Sequence, residues 1–292
     1  MMRARKPTCG RVPAFLRRLC FLLVASLGAS TPVWAQVVQT PNFHDQAQRA
    51  PEPDLSARTR IRFLTSVDYP PFNFLDGRGQ LAGFHVDLAR AICEELNVTA
   101  ICQIEARPFA DLAGALESGE GDAVIAGLAI TADNRARFAF TQPFFRYPAR
   151  LAVPKGSDLG GPLALGLPDV EVGVVANGAH AAMLQSFFPK ARAVPFESAE
   201  KAQEALRAGR VKALFGDGVA LSFWLGSEAA AGCCEFLGGP YLSDRFLGEG
   251  LAIAVRADDP QLAAAFDYAI GRIVREGGLS ELLLRYFPIS AF

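Results

Sequence analysis

The chain has 292 residues, with 29 Lys and Arg against 30 Asp and Glu and an apolar content of 51%. That length suits one large domain or two ordinary ones, with enough apolar residues for a full core. The charge balance excludes a protein that binds nucleic acid by displacing counterions, which needs a basic surface.

The N-terminus carries Arg3, Arg5, Lys6, Arg11, Arg17 and Arg18 and no acidic residue, then an apolar run at residues 21–29, then Val33-Trp34-Ala35. A basic start, a short apolar core and small residues at the cut describe a secretory signal peptide over residues 1–35, cleaved after Ala35. The run is shorter than the roughly 20 apolar residues that span a bilayer. Cys20 precedes the apolar core, which argues against a lipid anchor. Removing the six basic residues of the leader leaves 23 basic against 30 acidic, a net charge of −7 for the exported chain. Residues 36–57 are rich in Gln, Pro and Ala with little apolar pattern, and read as a flexible lead-in.

Order begins with a strand at residues 61–64. A Pro-rich turn, Tyr69-Pro70-Pro71-Phe72, and a loop at residues 76–79 follow. Phe84, Leu88, Ile92 and Leu96 recur every four residues and predict a helix over 83–96. A strand at 100–104, a helix at 109–116, a buried strand at 123–126 and a short helix at 131–137 complete a first series. A second series follows: strand 170–175, helix 179–187, strand 191–195, helix 199–208, strand 211–215. A strand at 251–255 and helices at 260–275 and 279–286 end the chain. Two β-α series predict two α/β sheets with right-handed crossovers, whose ligands lie outside the carboxyl ends of the strands.

Four cysteines follow the leader. Cys93 and Cys102 are close enough to bridge a helix end to the next strand, and export permits disulfides. Cys233 and Cys234 are adjacent, and the spacing leaves open whether they pair, stay reduced or bond elsewhere. Three histidines, with no Cys-x-x-Cys or His-x-x-x-His, argue against a metal site, and no cofactor is expected.

Several motifs occur in order: Thr65-Ser66-Val67-Asp68-Tyr69-Pro70-Pro71-Phe72, Gly83-Phe84-His85-Val86-Asp87-Leu88, Gly121-Asp122-Ala123-Val124-Ile125-Ala126-Gly127, Ile130-Thr131 leading to Arg135, Phe138-Ala139-Phe140-Thr141-Gln142-Pro143-Phe144, Ala213-Leu214-Phe215-Gly216-Asp217 and Gly248-Glu249-Gly250-Leu251. Together they resemble the family 3 solute-binding proteins of bacterial ABC importers, over roughly residues 58–288. The resemblance implies an α/β, type II periplasmic-binding-protein fold: two α/β lobes joined by a two-strand hinge, with a ligand cleft between them. It places lobe one at 58–146 plus 243–292 and lobe two at 147–242, with crossings near residues 146–148 and 241–243. It implies a periplasmic monomer that carries a small solute, an amino acid or a relative of one, to an ABC permease in the inner membrane.

The resemblance also assigns candidate ligand residues. Arg135 is the candidate fork for a carboxylate, one residue further from Ile130 than the family's usual spacing, with Arg137 as the fallback. Asp217 is the candidate partner of an ammonium, and also a natural cap for the helix that follows it. Tyr69 and Phe109 match aromatics that pack on the ligand. Ser66 stands where many relatives have an acid, and Asp68 is nearby. Gly127 and Ala129 line the first lobe. Asn177, Gly178 and Ala179 line the second, with Asn177 as a helix cap and His180 facing either cleft or solvent. His85 replaces a usual acid and reads as a surface change, while Asp87 keeps a first-turn acid. Serine and threonine hydroxyls common in relatives are absent, which points to a solute other than an ordinary polar α-amino acid. Two other functions remain: an enzyme on the same fold, such as a periplasmic dehydratase acting on prephenate or arogenate through Asp217 or Glu249, and a sensing module for a membrane receptor.

Overall fold

The structure, a computed structural model, describes residues 51–288. The leader expected over 1–35, Cys20 and the start of the lead-in lie outside the described residues. No helix among the described residues is long and apolar enough to cross a membrane.

Two five-stranded sheets carry the fold. The first contains β1 (Ile61–Thr65), β5 (Cys102–Ala106), β6 (Ala123–Val124), β7 (Phe138–Phe140) and β13 (Ala254–Arg256), in the order β5-β1-β6-β13-β7. The second contains β8 (Ala149–Pro154), β9 (Glu171–Val175), β10 (Arg192–Phe196), β11 (Ala213–Asp217) and β12 (Cys234–Phe236), in the order β10-β9-β11-β8-β12. Three strands of each sheet run parallel, β1, β5 and β6 in the first and β9, β10 and β11 in the second. In each, one reversed strand sits beside them: β13 in the first sheet and β8 in the second. Each reversed strand is the one that arrives from the other sheet. A small antiparallel sheet of β2 (Asp68–Tyr69), β3 (Asn73–Leu75) and β4 (Leu81–Ala82) follows β1.

Helices cover both faces of both sheets, because parallel strands bury two apolar faces. Ile61 and Phe63 of β1 pack with Phe84, Leu88 and Ile92 of α1 (Phe84–Glu95) and with Phe266 and Ile270 of α9 (Pro260–Arg275). Leu64 and Val124 pack on the other face against Leu112 and Leu116 of α2 (Phe109–Glu117). In the second sheet Leu151, Val174 and Phe215 meet Met183 and Leu184 of α5 (Ala179–Phe187). Ala152 and Leu214 meet Leu206 of α6 (Ala199–Arg207) and Leu221 and Trp224 of α7 (Gly218–Leu225). The last helix, α10 (Gly278–Tyr286), is tied back to α1 at Asp87, which accepts from Arg285 at 2.8 Å and from the Tyr286 hydroxyl at 2.7 Å.

Two segments connect the sheets and pair with each other in passing. Phe145 bridges Leu251 and Ala149 bridges Tyr241, both antiparallel. Leu251 N donates to Phe145 O at 2.7 Å, and Tyr241 N donates to Ala149 O at 3.0 Å.

The expected strand at 100–104 begins later, at Cys102, because a 3-10 turn occupies Thr99–Ile101. Cys93 and Cys102 form the expected bridge from α1 to β5, and Cys233 pairs with its neighbour Cys234. Leu55, at the end of the lead-in, packs on the first core, and Arg58 pairs with Asp259 at 2.6 Å.

Candidate functional site

The carboxyl ends of β1 and β6 in the first sheet and of β9 and β11 in the second carry the candidate residues. Ser66, just after β1, is 1% exposed, and its Oγ accepts from Asn73 Nδ2 at 2.7 Å. Asn73 Oδ1 in turn accepts from His85 Nδ1 at 2.7 Å. Ser66 is therefore held inside the body of the lobe.

His85 is fully buried, which corrects the expectation of a surface change. The 69–73 turn roofs the start of α1: Phe84 N donates to Pro71 O and His85 N to Phe72 O. The ring lies 5.0 Å from that of Phe72 and 5.7 Å from that of Phe144. Burial pushes its pKa down to about 3. Its Nε2 has no partner among the described residues.

Tyr69 stacks on Phe72 at 4.9 Å and lies over Gly127, where an added Cβ would stand 3.2 Å from the ring. The Tyr69 hydroxyl is hydrogen-bonded to that of Tyr147, in the first crossing segment. Burial raises the pKa of both phenols, and the Asp217 charge raises both further, although the Tyr147 bond lowers that of Tyr69. The Asp217 carboxylate of the second sheet is thus within electrostatic reach of Tyr69 and Tyr147. Phe109 opens α2 and is 45% exposed. Ala129 is exposed, and its carbonyl accepts from Asn134 Nδ2 at 2.9 Å.

Both candidate arginines stand on or beside α3 (Ala132–Arg137), which is capped by Thr131 Oγ1. Arg135 pairs with Glu249 of the second crossing. Arg137 makes two bonds to Glu117, at 2.6 and 2.8 Å.

In the second sheet, Asn177 is exposed, with φ +57°, and the cap position of α5 falls on Gly178 with no side-chain cap bond. The expected Asn177 cap is therefore absent. The residue turns the chain one position earlier, and the first-turn amides carry no side-chain acceptor. Asp217 caps α7: its Oδ1 accepts from Val219 N at 2.8 Å and Ala220 N at 3.1 Å. His180 lies beside it; burial lowers its pKa, and the Asp217 charge opposes that shift. A recess of about 250 Å³ opens here, lined by Asp217 and His180 and otherwise mainly by apolar groups, among them Val175, Phe215, Ala220 and Leu221.

The structure thus places Tyr69 over Gly127 in the first lobe and Asp217 with Gly178 and His180 in the second. Arg135 is engaged by Glu249, and Ser66 is turned inward. Sequence reasoning missed Tyr147. Its only sign was an aromatic residue in the expected crossing Arg146-Tyr147-Pro148.

The chain matches the family model described as bacterial extracellular solute-binding proteins, family 3, over residues 61–289, and it belongs to that family. Its fold is the type II periplasmic-binding-protein fold of two α/β lobes. The L-arginine-binding protein of Pseudomonas aeruginosa is 31% identical over 244 residues, spanning 82% of this chain and 92% of that one. The histidine-binding periplasmic protein of Salmonella typhimurium is 28% identical, over 80% of this chain and 89% of the relative. Among solved structures, the L-cystine solute receptor of Neisseria gonorrhoeae in its unliganded open conformation superposes with a TM-score of 0.66 at 19% identity, covering 80% of this chain and 94% of that one.

Proposed function

We propose that the chain is the exported solute-binding component of an ABC importer. It takes an amino acid or a related small solute between its lobes and delivers it to a permease in the inner membrane. The leader is cleaved after Ala35, and the protein works in the periplasm as a monomer, without catalysis. The moving bodies are residues 58–146 with 243–292, and residues 147–242.

One observation carries the reading: Asp217, an acid fixed at a helix start at the end of β11, stands with His180 at the mouth of a recess, in a sheet joined to the other by two crossings that pair at Phe145–Leu251 and Ala149–Tyr241. Tyr69, Gly127, Ala129 and Phe109 supply the wall of the first lobe, and Asn177, Gly178, Ala179 and Asp217 that of the second. Ser66 acts by holding Asn73. Arg135 reaches a carboxylate only when Glu249 releases it. Relatives named for arginine and histidine support a nitrogenous solute, as does the half-buried acid Asp217 at the recess.

A thermal-shift screen with amino acids, amines and small carboxylates tests this. A bound ligand at 100 times its Kd stabilises by about 2.7 kcal/mol, and Asp217→Asn weakens it at least tenfold. No stabilisation by any member of the screen rejects the reading, and turnover of prephenate or arogenate replaces it with the dehydratase.

A further inference from the structure

Resting on that reading of two moving bodies, we infer that Phe287 and Pro288 form a third link between the lobes, a brake behind the crossings that parts when the lobes close and so lowers the affinity for the solute.

The helix α7 carries the link. Its eight residues include no charged side chain, and a helix that is apolar all round buries more than one face. One face belongs to its own lobe, where Leu221 and Trp224 lie in the core with Leu214 of the second sheet. The other face meets the opposite lobe. Val219, Phe223 and Gly226 follow at spacings of four and three, which sets them in one row. Val219 is a member of the first core, together with Phe145, Leu251 and Phe287. The Phe223 ring lies 6.0 Å from that of Phe287, and an added Cβ at Gly226 would stand 3.6 Å from Pro288 Cγ. The chain leaving α10 thus runs along two turns of a helix in the other lobe.

The position of the link decides what it does. Phe287 is anchored in the first lobe, with its ring 5.8 Å from Phe145 and 5.8 Å from Phe72. Tyr69, on the ligand wall of that lobe, stacks on Phe72 at 4.9 Å. The rings therefore run in series from Tyr69 through Phe72 and Phe145 to Phe287 and Phe223, with the first crossing in the middle. A rotation about the crossings that brings Asp217 toward Tyr69 carries α7 away from Phe287. Gly218 N donates to Pro148 O at 2.8 Å, so the start of α7 stays at the crossing while its far end, at Gly226, travels most. Phe223 is 38% exposed and Pro288 is exposed, so the link is narrow and parts without opening a core.

A contact made only before closure lowers the fraction of chains ready to clamp, and the apparent Kd rises as that fraction falls. Phe223 and Phe287 are positioning residues: they act on the solute through the lobes and do not touch it.

Calorimetry on the full chain uses L-arginine, L-histidine and any other member of the thermal-shift screen that stabilises the wild type. Phe223→Ala is expected to bind the solute at least threefold tighter, while lowering the melting temperature of the unliganded protein. Phe223→Leu is expected to bind at least twofold tighter, and it decides the matter if Phe223→Ala folds poorly. Gly226→Ala adds a methyl group to the contact, at a φ of −81° that admits a side chain, and is expected to bind about twofold weaker. General loss of structure weakens binding in every variant and cannot produce these opposite signs. Equal or weaker binding by the Phe223 variants overturns the inference and leaves the binding-protein reading standing. Absence of binding by every member of the screen overturns both.

Discussion

His85 shows how one residue couples burial to pH. In the folded chain its pKa is pushed down to about 3, against 6.5 for an ordinary histidine. The folded state therefore holds the ring neutral where the unfolded chain would bind a proton. Stability is unaffected above about pH 6.5 and is lost as pH falls from there toward 3, by about 1.4 kcal/mol per pH unit at most. Asp267 acts in the opposite direction. Burial raises its carboxyl to about 6, so the folded state gains protons first and stability rises as pH falls from 6 toward 3.8. The two slopes overlap, and only a difference between variants separates them. Chemical denaturation of the wild type and His85→Gln at pH 7.5 and 4.5 is expected to show a larger loss in the wild type by about 2 kcal/mol. Equal losses would show that the ring takes up its proton without cost. Ser66 and His85 were singled out in the sequence, His85 wrongly as a surface residue, and Asn73 was not. The linkage of the three was not legible, because it depends on a turn folding over the start of α1.

Among the elements, α1 was the plainest to read, since Phe84, Leu88 and Ile92 share one face that the core then buries. β8 and β12 were not read. β8 contains the buried Arg150 and ends in Pro154, and β12 has three residues. The three strands of the small sheet have two or three residues each, too short for any period to register. The start of α7 illustrates a residue with two roles. Asp217 was expected both to cap and to bind, and the cap is present. Asn caps about as well as Asp, whereas Ala costs about 1 kcal/mol. Asp217→Asn is therefore expected to keep the melting temperature of the unliganded protein within about a degree. Asp217→Ala should lower it by about 2–4 °C. Both should lose the ligand. A ligand affinity that survives in Asp217→Asn would leave the cap as the residue's whole role.

For the whole molecule, everything depends on two crossing segments that touch. Arg135 and Glu249 lie 114 residues apart in sequence, and only the return of the chain through the second crossing brings them together. That return was readable as a late strand, but the pairing it imposes was not. The segments come close at Gly250. Its φ is +112°, and an added Cβ would stand 2.3 Å from Phe145 O and 3.3 Å from Arg146 Cα. A methyl group there meets backbone, which cannot rotate away, so the crossings must separate. Gly209 offers a control: its φ is +71°, with nothing within 4 Å of an added Cβ. Ala at Gly209 pays backbone strain of about 1–2 kcal/mol and nothing else. Gly250→Ala pays strain and also breaks the register of Phe145 with Leu251. It should therefore lower stability well beyond Gly209→Ala in parallel denaturant titrations. Because closure of a hinged pair needs the connecting segments in place, it should also weaken ligand binding at least tenfold, while Gly209→Ala leaves affinity unchanged. Equal stability losses with unchanged affinity in both variants would mean that the lobes clamp their ligand without any contact between the crossings.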